Sequence, residues 1–447
     1  MRDYKLNNSI VKKFVRYVSL NIISMIGLSF YILADTFFIA NGVGSIGLTA
    51  LNLVLPLWSL VSGIGLMIGM GAGIRYSIQM GKRNKQGANR IFTHAIFMGI
   101  IVGIIITIIG ILFSYDIVKI LGADETVIPL AGSYLKTLLS FSCVFILNNI
   151  VTIFVRNDNE PNLAMVAMIL GSLSNIVLDY IFIFPFKLGM FGAAIATGAT
   201  PILSLAVLSI HFIRKKNSFK LIKCKFNRGD IKSIISLGIP SFITEFSSGI
   251  IILIFNFTIL RISYNIGVAA YGIIANLALI VVAIFTGIAQ GIQPIISKSY
   301  GEGKLKDIKF IYKYGLILSL VLGMLCYLLS FNFSEEIVNL FNNEGNAELL
   351  SMAVKGINIY FSAFIIMGIN IVTTSFFASI NKPRKSFAIS MMRGLVIVIP
   401  LILLLPNFLG MTGVWITIPL AEVITLGISI MFIISKKEEV GSEVNRL

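Results

Sequence analysis

The chain has 447 residues, of which 57% are hydrophobic and only 13% are charged, and its net charge is +16. A soluble protein could not bury so much apolar surface, so the composition excludes an ordinary set of two or three soluble domains. Lys and Arg lie mainly in short segments between apolar stretches. This placement indicates topology signals and contact with anionic membrane lipid, and it argues against nucleic acid as a partner.

Apolar stretches of membrane-crossing length recur along the whole chain. Each can cross about 30 Å of hydrocarbon. Backbone groups in lipid must be satisfied within the segment, so we expect helices. We predict an all-α polytopic membrane protein with twelve transmembrane helices. They cover roughly residues 12–40, 46–73, 91–113, 127–151, 162–184, 189–213, 234–260, 267–296, 308–330, 350–378, 386–406 and 411–434.

Sequence landmarks of the first half return in the second half at a spacing of about 222 residues. Six spans per half give both halves the same orientation in the membrane, so the repeats are predicted to be parallel. Duplicated helical units of this kind are typical of transporters, with the substrate site between the halves. The matching pairs are Gly65 and Gly287, Gly69 and Gly291, Gly81 and Gly303, and Pro161 and Pro383.

This pattern divides the chain into an N-terminal six-helix lobe (1–213), a basic cytoplasmic linker (214–233), a C-terminal six-helix lobe (234–435) and a cytoplasmic tail (436–447). Most Lys and Arg fall in the segments that share one side of the membrane with the two termini. The positive-inside rule therefore predicts a multi-pass plasma membrane protein with both termini in the cytoplasm.

Two carboxylates fall inside predicted spans of the first half. A carboxylate at mid-bilayer costs about 2.5–3.5 kcal/mol even on the lenient insertion scale, so such groups call for a wet cavity or a partner. Asp35 shares a helical face with Tyr31, and Asp179 shares one with Asn175, while Thr197 lies on the next span. Two carboxylates beside amide and hydroxyl groups suit a proton or Na⁺.

The alternative interpretation of these acids is that each is paired with a buried base. Few bases fall within the predicted spans, and the candidates are Arg75, His94 and Arg393. Under the repeat, Asp35 and Asp179 correspond to apolar residues, so we predict that ion coupling is concentrated in the first half.

The second half carries two further acids within its predicted spans. Glu245 follows Pro240 and lies on one polar stripe with Ser241 and Ser248, either as part of a binding cavity or as a polar contact between helices. For Glu422 the alternative interpretation is an ion pair with Arg393, which would exclude it from such a role.

Neutral polar side chains in the second half are candidates for hydrogen bonds to substrate. Gln290 and Gln293 flank Gly291, and Asn370 lies one turn before Thr374. Hydrogen bonds between helices are an equally good interpretation of these three residues.

Motifs for enzyme chemistry are missing from the sequence. It has no phosphate-binding P-loop, no His-Glu-x-x-His and no Gly-x-Ser-x-Gly, and it has only two histidines. The glycines between Gly63 and Gly73 lie inside an apolar span, where they favour close helix packing over nucleotide binding. We therefore expect no enzyme and no cofactor, and uphill transport would need an ion gradient.

Taken in order, the motifs resemble those of the multidrug and toxic compound extrusion (MATE) transporters over nearly the whole chain. The motifs that carry this resemblance are Ala34-Asp35-Thr36, residues 69–89, Val155-Arg156-Asn157-Asp158, residues 175–179 with 192–197, and residues 287–294.

The resemblance implies two six-helix lobes in a V shape that export organic cations and drugs in exchange for Na⁺ or H⁺. It also implies that Glu245 is the acid of the second lobe. The implied ion site, which would also hold Na⁺, consists of Asp35, Asn175, Asp179 and Thr197, with Tyr31, Tyr134 and Asn149 around it.

The sequence departs from the family pattern at two places. Gly368 and Asn370 stand where some members carry a second acid in helix ten, which puts an all-carboxylate Na⁺ site in the second lobe in doubt. The first proline is Pro56, so helix one has no proline at which to bend.

We predict a monomeric secondary antiporter that exchanges organic cations for Na⁺ or H⁺ by alternating access. The alternatives are a flippase for lipid-linked oligosaccharides, a membrane-embedded enzyme, and a twelve-span facilitator of the other large parallel-repeat class. Anionic head groups would need several cavity arginines, and the candidates are Arg75 and Arg393.

Overall fold

The computed structural model describes the backbone of residues 2–342 and 345–444 and the side chains of residues 9–342 and 345–434. Within these residues all regular secondary structure is helical. The predicted tail, 436–447, has its side chains outside the described residues, and its last three residues lie outside them altogether.

The first half contains seven helices that make six crossings. Helices α4 and α5 are bent by 48° relative to one another at Phe141 and together form one crossing. The helices are α1 (Arg2–Gly42), α2 (Ser45–Gly81), α3 (Lys85–Ile120), α4 (Ile128–Ser140), α5 (Ser142–Asn157), α6 (Pro161–Ile183) and α7 (Gly189–Ile213).

The second half begins with α8 (Arg228–Gly301), a run of 74 residues with non-helical backbone at Ser263 and Tyr264. At about 1.5 Å per residue its length far exceeds one membrane crossing. The remaining helices are α9 (Leu305–Asn332), α10 (Ser334–Asn339), α11 (Ala347–Tyr360), α12 (Phe364–Ser379), α13 (Pro383–Met391), α14 (Val398–Leu409) and α15 (Met411–Val444).

The described helices account for the predicted twelve crossings. Ten are long and apolar enough to cross a membrane, and the bent pair α4–α5 makes eleven. The break at Ser263 and Tyr264 divides α8 into two crossings, which brings the number to twelve. The prediction of a twelve-helix polytopic membrane protein is confirmed.

The two halves repeat the same backbone features. The bend between α4 and α5 has its counterpart in the 3₁₀ turn Phe361–Ala363 between α11 and α12. Backbone positions with positive φ also recur, at a spacing of about 220 residues: Gly44 and Tyr264, Arg83 and Gly303, Asn159 and Asn381, and Gly189 and Gly410. Gly303 therefore corresponds to Arg83, two residues away from the Gly81 that the sequence pattern suggests.

Glycines allow the halves to approach closely at their interface. A Cβ on Gly71 would collide with the backbone of Ile234, and one on Gly238 would collide with the backbone of Met67. Similar contact between Gly81 and the Lys298 carbonyl joins the ends of α2 and α8. We call the end of the molecule that carries the loop 82–84 and the segment 214–227 the basic end.

The segment between α7 and α8 packs against the first half. Phe219 is fully buried and its ring contacts those of Phe92 and Phe154. The Ser218 backbone N–H donates to Asp158 over 2.7 Å, and the Lys220 N–H donates to Asn89 over 3.0 Å. Only residues 214–227 of the predicted linker are non-helical, because α8 begins at Arg228.

Candidate functional site

Asp35 and Asp179 meet inside the first half. Asp35 on α1 is 9% exposed and Asp179 on α6 is fully buried. Their carboxyl groups lie within hydrogen-bonding reach of one another. Two carboxylates cannot donate to each other, so a hydrogen bond between these acids forms only when one of them carries a proton. Asp35 and Asp179, which the sequence places on separate spans, therefore form one site.

Asn175 and Thr197 complete the same site. Asn175 lies one turn before Asp179 on α6, and with its amide nitrogen directed at the acid it donates to Asp179 Oδ2 over 3.0 Å. In this orientation its oxygen accepts from the Thr197 backbone N–H over 3.3 Å, and Thr197 Oγ1 lies 3.5 Å from the amide. Helix α7 thus fixes the amide that holds Asp179.

Two tyrosines border the acid pair, and Asn149 contacts its own helix and α2. Tyr134 of α4 is buried, and its hydroxyl lies near the Thr197 side chain. Tyr31 lies within electrostatic range of Asp35 and Asp179. The amide of Asn149 instead donates to the Phe145 carbonyl of its own helix over 3.3 Å and packs against Gly65 of α2.

The acid pair retains unused hydrogen-bonding capacity. Among the described residues, Asp35 Oδ1 and Asp179 Oδ1 have no hydrogen-bond partner, and no basic side chain forms an ion pair with either acid. No group of three or more His, Cys, Asp or Glu side chains in the described part of the chain could hold a metal ion. The arrangement can bind and release a single small cation, such as a proton.

Glu245 lies at the contact between the halves. It is half-buried on the first part of α8 and lies near the Ser62 side chain of α2. Tyr31 is within electrostatic range of Glu245 as well as of the acid pair. The acid that the sequence assigns to the second half therefore faces the first half across the interface.

The three neutral candidates of the second half are already engaged with protein groups. Gln290 Oε1 accepts from Arg156 over 2.6 Å. Gln293 is fully buried and donates to Ser297 of its own helix over 3.3 Å. Asn370 is also fully buried, and its amide donates to Glu422.

Glu422 and Arg393 form a buried ion pair in the second half. Arg393 Nε donates to Glu422 Oε1 over 2.6 Å, and the two side chains are 15% and 3% exposed. Asn370 Nδ2 donates to Glu422 Oε2 over 2.8 Å, and Ser429 donates to Asn370 over 3.0 Å. This acid is neutralised by a base, as the sequence allowed.

Arg156 is a buried base that the sequence pattern does not place inside a span. The predicted fourth span, 127–151, ends before it, whereas α5 continues to Asn157. Asp158 likewise has a buried partner, His211, with its Nε2 3.0 Å from Asp158 Oδ2. The signal available in the sequence was the run of polar residues 156–159 between apolar segments.

A duplicated twelve-helix membrane fold with a buried, unpaired acid site defines a polytopic membrane transporter. The MatE family model matches residues 21–181 and 240–404, once in each half. The chain belongs to the MATE family, whose members are transporters and not enzymes.

Relatives and solved structures agree with this assignment. The multidrug export protein MepA of Staphylococcus aureus (strain MRSA252) is 26% identical over 397 residues, 88% of this chain and 86% of that protein. MepA of Staphylococcus saprophyticus is 25% identical over 379 residues, 84% and 83% of the two chains.

Solved structures show the same fold at lower identity. The outward-facing conformation of a multidrug resistance MATE family transporter superposes with a TM-score of 0.90 at 23% identity over 96% of each chain. A Pyrococcus furiosus transporter of the MOP superfamily, described as having a binding pocket of reverse polarity, superposes with a TM-score of 0.87 at 23% identity over 94% of each chain. One fold therefore holds pockets of different polarity, so the side chains must decide the function.

Proposed function

We propose that this chain exports organic cations and drugs from the cell in exchange for a cation, by alternating access. The observation that carries this proposal is the contact between Asp35 and Asp179 without a basic partner. Buried acids without a base need a cation, and a transporter that lacks a nucleotide site must draw its energy from an ion gradient. The MepA relatives, named as multidrug export proteins, support the same substrate class.

Of the two coupling ions, the geometry favours the proton. A carboxyl–carboxyl hydrogen bond holds one proton and loses it when both acids ionise. Na⁺ would need several oxygen ligands, whereas the Asn175 amide makes both of its hydrogen bonds, to Asp179 and to the Thr197 N–H, only with its nitrogen directed at Asp179. Na⁺ binding would require this amide to turn, with Asp35, Asp179 and Thr197 supplying the other oxygens.

Glu245 is the proposed contact for the cationic drug. Phe242 and Phe246 lie beside it on α8, with their rings stacked 5.5 Å apart. Trp58 lies one turn before Ser62 on α2, and its ring is 4.2 Å from that of Phe145. An acid among aromatic rings suits flat organic cations, which combine charge with apolar surface.

The flippase alternative requires basic side chains that are free to bind anionic head groups. Arg393 is held by Glu422, and Arg156 is directed at Asn21 and Gln290. Of the two candidates from the sequence, this leaves Arg75, whose Nε has no hydrogen-bond partner among the described residues, and one arginine is fewer than the several that such head groups need. The acids therefore make cation export the better proposal for this chain.

The proposal also covers the orientation of the chain in the membrane, its location and its oligomeric state. The basic end is assigned to the cytoplasm, so both termini are cytoplasmic. The chain is proposed to work as a monomer of two lobes, 1–213 and 234–435, in the plasma membrane and in contact with its lipid.

The test is ethidium efflux from proteoliposomes on which Na⁺ and pH gradients are imposed independently. We expect that acid on the receiving side drives efflux and that a Na⁺ gradient at equal pH does not. Efflux driven by a Na⁺ gradient alone would identify Na⁺, and not the proton, as the coupling ion. Efflux that follows neither gradient would overturn exchange.

A further inference from the structure

We propose that the hydrogen bond from Arg156 to Gln290 is a latch that closes the basic end of the transporter. The proposal rests on alternating access, in which that end must open to admit substrate. The latch joins the two halves of the molecule directly, and its release would be part of each transport cycle.

The guanidinium of Arg156 lies at a junction of three helices. Arg156 is 2% exposed, and its Nη1 donates to Asn21 Oδ1 over 2.7 Å and to Gln290 Oε1 over 2.6 Å. Its Nη2 lies 3.6 Å from Met70 Sδ. Asn21 and Met70 belong to the same half as Arg156, so the bond to Gln290 is the one of these contacts that crosses the interface.

Close helix packing brings Gln290 to this position. Gly287 packs against the backbone of Ile22, and Gly291 packs against the backbone of Val18. These glycines lie on either side of Gln290 along α8, so α8 approaches α1 closely at the height of the latch. A displacement of α8 from α1 would withdraw Gln290 from Arg156.

The latch occurs on one side of the pseudo-symmetric interface only. At the repeat spacing, Arg156 corresponds to Ala378, which packs in an apolar cluster with Ile74, Ile78 and Leu237. Apolar contacts have little directional preference, whereas a short hydrogen bond from a charged group holds one geometry. At this pair of equivalent positions the interface thus has a directional hydrogen bond on one side and a dry, non-directional contact on the other.

The chemistry of the pair suits repeated opening. Gln290 is neutral, and among the described residues Arg156 forms no ion pair and its Nε has no hydrogen-bond partner. When the halves separate, water entering the basic end can replace the amide as an acceptor for the guanidinium. A carboxylate in place of Gln290 would bind the arginine much more strongly and would oppose opening.

Two nearly isosteric variants test the latch in opposite directions. Gln290→Leu removes the acceptor, and Gln290→Glu replaces it with a charged one. Spin labels are placed at the exposed, repeat-equivalent positions 86 and 306 of the basic end, after replacement of the native cysteines Cys143, Cys224 and Cys326. Pulsed dipolar spectroscopy without drug then reports the ratio of long to short distances between the labels.

We expect Gln290→Leu to raise the ratio of long to short distances about tenfold, in keeping with loss of a hydrogen bond to a charged group. Gln290→Glu should lower the same ratio. The matched control is Gln293→Leu, which removes the same amide from a buried site whose hydrogen bond stays within one helix, to Ser297.

Equal distance distributions in wild type, Gln290→Leu and Gln290→Glu would overturn the latch. So would a shift in Gln293→Leu as large as that in Gln290→Leu. Because distances are measured without drug or gradient, a shift in the expected directions would support the latch even if ion-driven efflux proved absent. A failed efflux assay alone would count against the proposed function and not against the latch.

Discussion

The buried acids of the two halves differ in what surrounds them. In the first half, Asp35 and Asp179 contact each other, and no described base pairs with them. In the second half, Glu422 is bound by Arg393 and Asn370. The difference teaches that burial alone does not mark a coupling acid. The acid must also lack a permanent cation, so that a transported cation can take that place.

The repeat makes this comparison sharper. At the repeat spacing, Arg393 corresponds to Gly171, where an added Cβ would meet Thr200 and Ser204 of α7. The first half thus has small residues at the position where the second half carries its arginine. The equivalent backbone position thus supports an internally neutralised acid in the second half and supplies no base in the first half.

The largest expected effect is on stability, in the second half. Arg393→Ala leaves Glu422 buried without its base, which should lower the free energy of unfolding by about 3–5 kcal/mol. Thermal unfolding in detergent measures this loss. Arg393→Met combined with Glu422→Gln should recover most of it, because no charge is then left unpaired.

Asp35→Asn is compared with Arg393→Ala in the same measurement of unfolding. It removes a buried acid that has no base, so it should leave stability unchanged or raise it. A loss as large as that of Arg393→Ala would show that Asp35 has a stabilising partner and would contradict the comparison.

The next effect concerns drug binding between the halves. Glu245→Gln removes a carboxylate and keeps nearly the same shape, so affinity for a monovalent organic cation should fall about tenfold, or about 1.4 kcal/mol. Fluorescence titration with ethidium measures this change. An uncharged ligand of similar shape is the control, and equal losses for both ligands would assign Glu245 a structural role only.

A smaller effect is expected at Thr197. Thr197→Val keeps the shape but removes the hydroxyl near Asn175 and Tyr134, so ion-driven efflux should fall by a few-fold, in keeping with about 1 kcal/mol for one hydrogen bond. Thr200→Val on the same helix is the matched control, because Thr200 donates only to the Ala196 carbonyl of its own helix. Equal effects of the two variants on the efflux rate would remove Thr197 from the site.

Much of the fold follows from the sequence because lipid imposes simple rules. Long apolar segments, paired prolines and paired glycines predict twelve crossings and two halves without any tertiary information. The acid pair could also be proposed, since Asp35 and Asp179 stand out among apolar neighbours and their motifs resemble those of a known family. The Glu422–Arg393 pair could be proposed because few bases fall within spans.

Contacts that depend on helix rotation and helix ends could not be predicted. Arg156 lies 134 residues from Gln290 in sequence, and an early boundary for the fourth span places it in a loop. Asn149 packs against Gly65, Gln293 donates to Ser297 of its own helix, and Asn370 donates to Glu422. Hydropathy sets where a helix crosses the membrane but does not set which face meets which neighbour.

The most direct test of the central claim is the number of protons released when drug binds. In weakly buffered detergent solution, saturating ethidium should release protons from wild type and from Glu422→Gln, because drug and proton binding are linked reciprocally. Asp35→Asn, Asp179→Asn and the double variant should bind drug with little or no release. Equal proton release from wild type and the double variant would contradict the claim that the first-half pair holds the exchangeable cation.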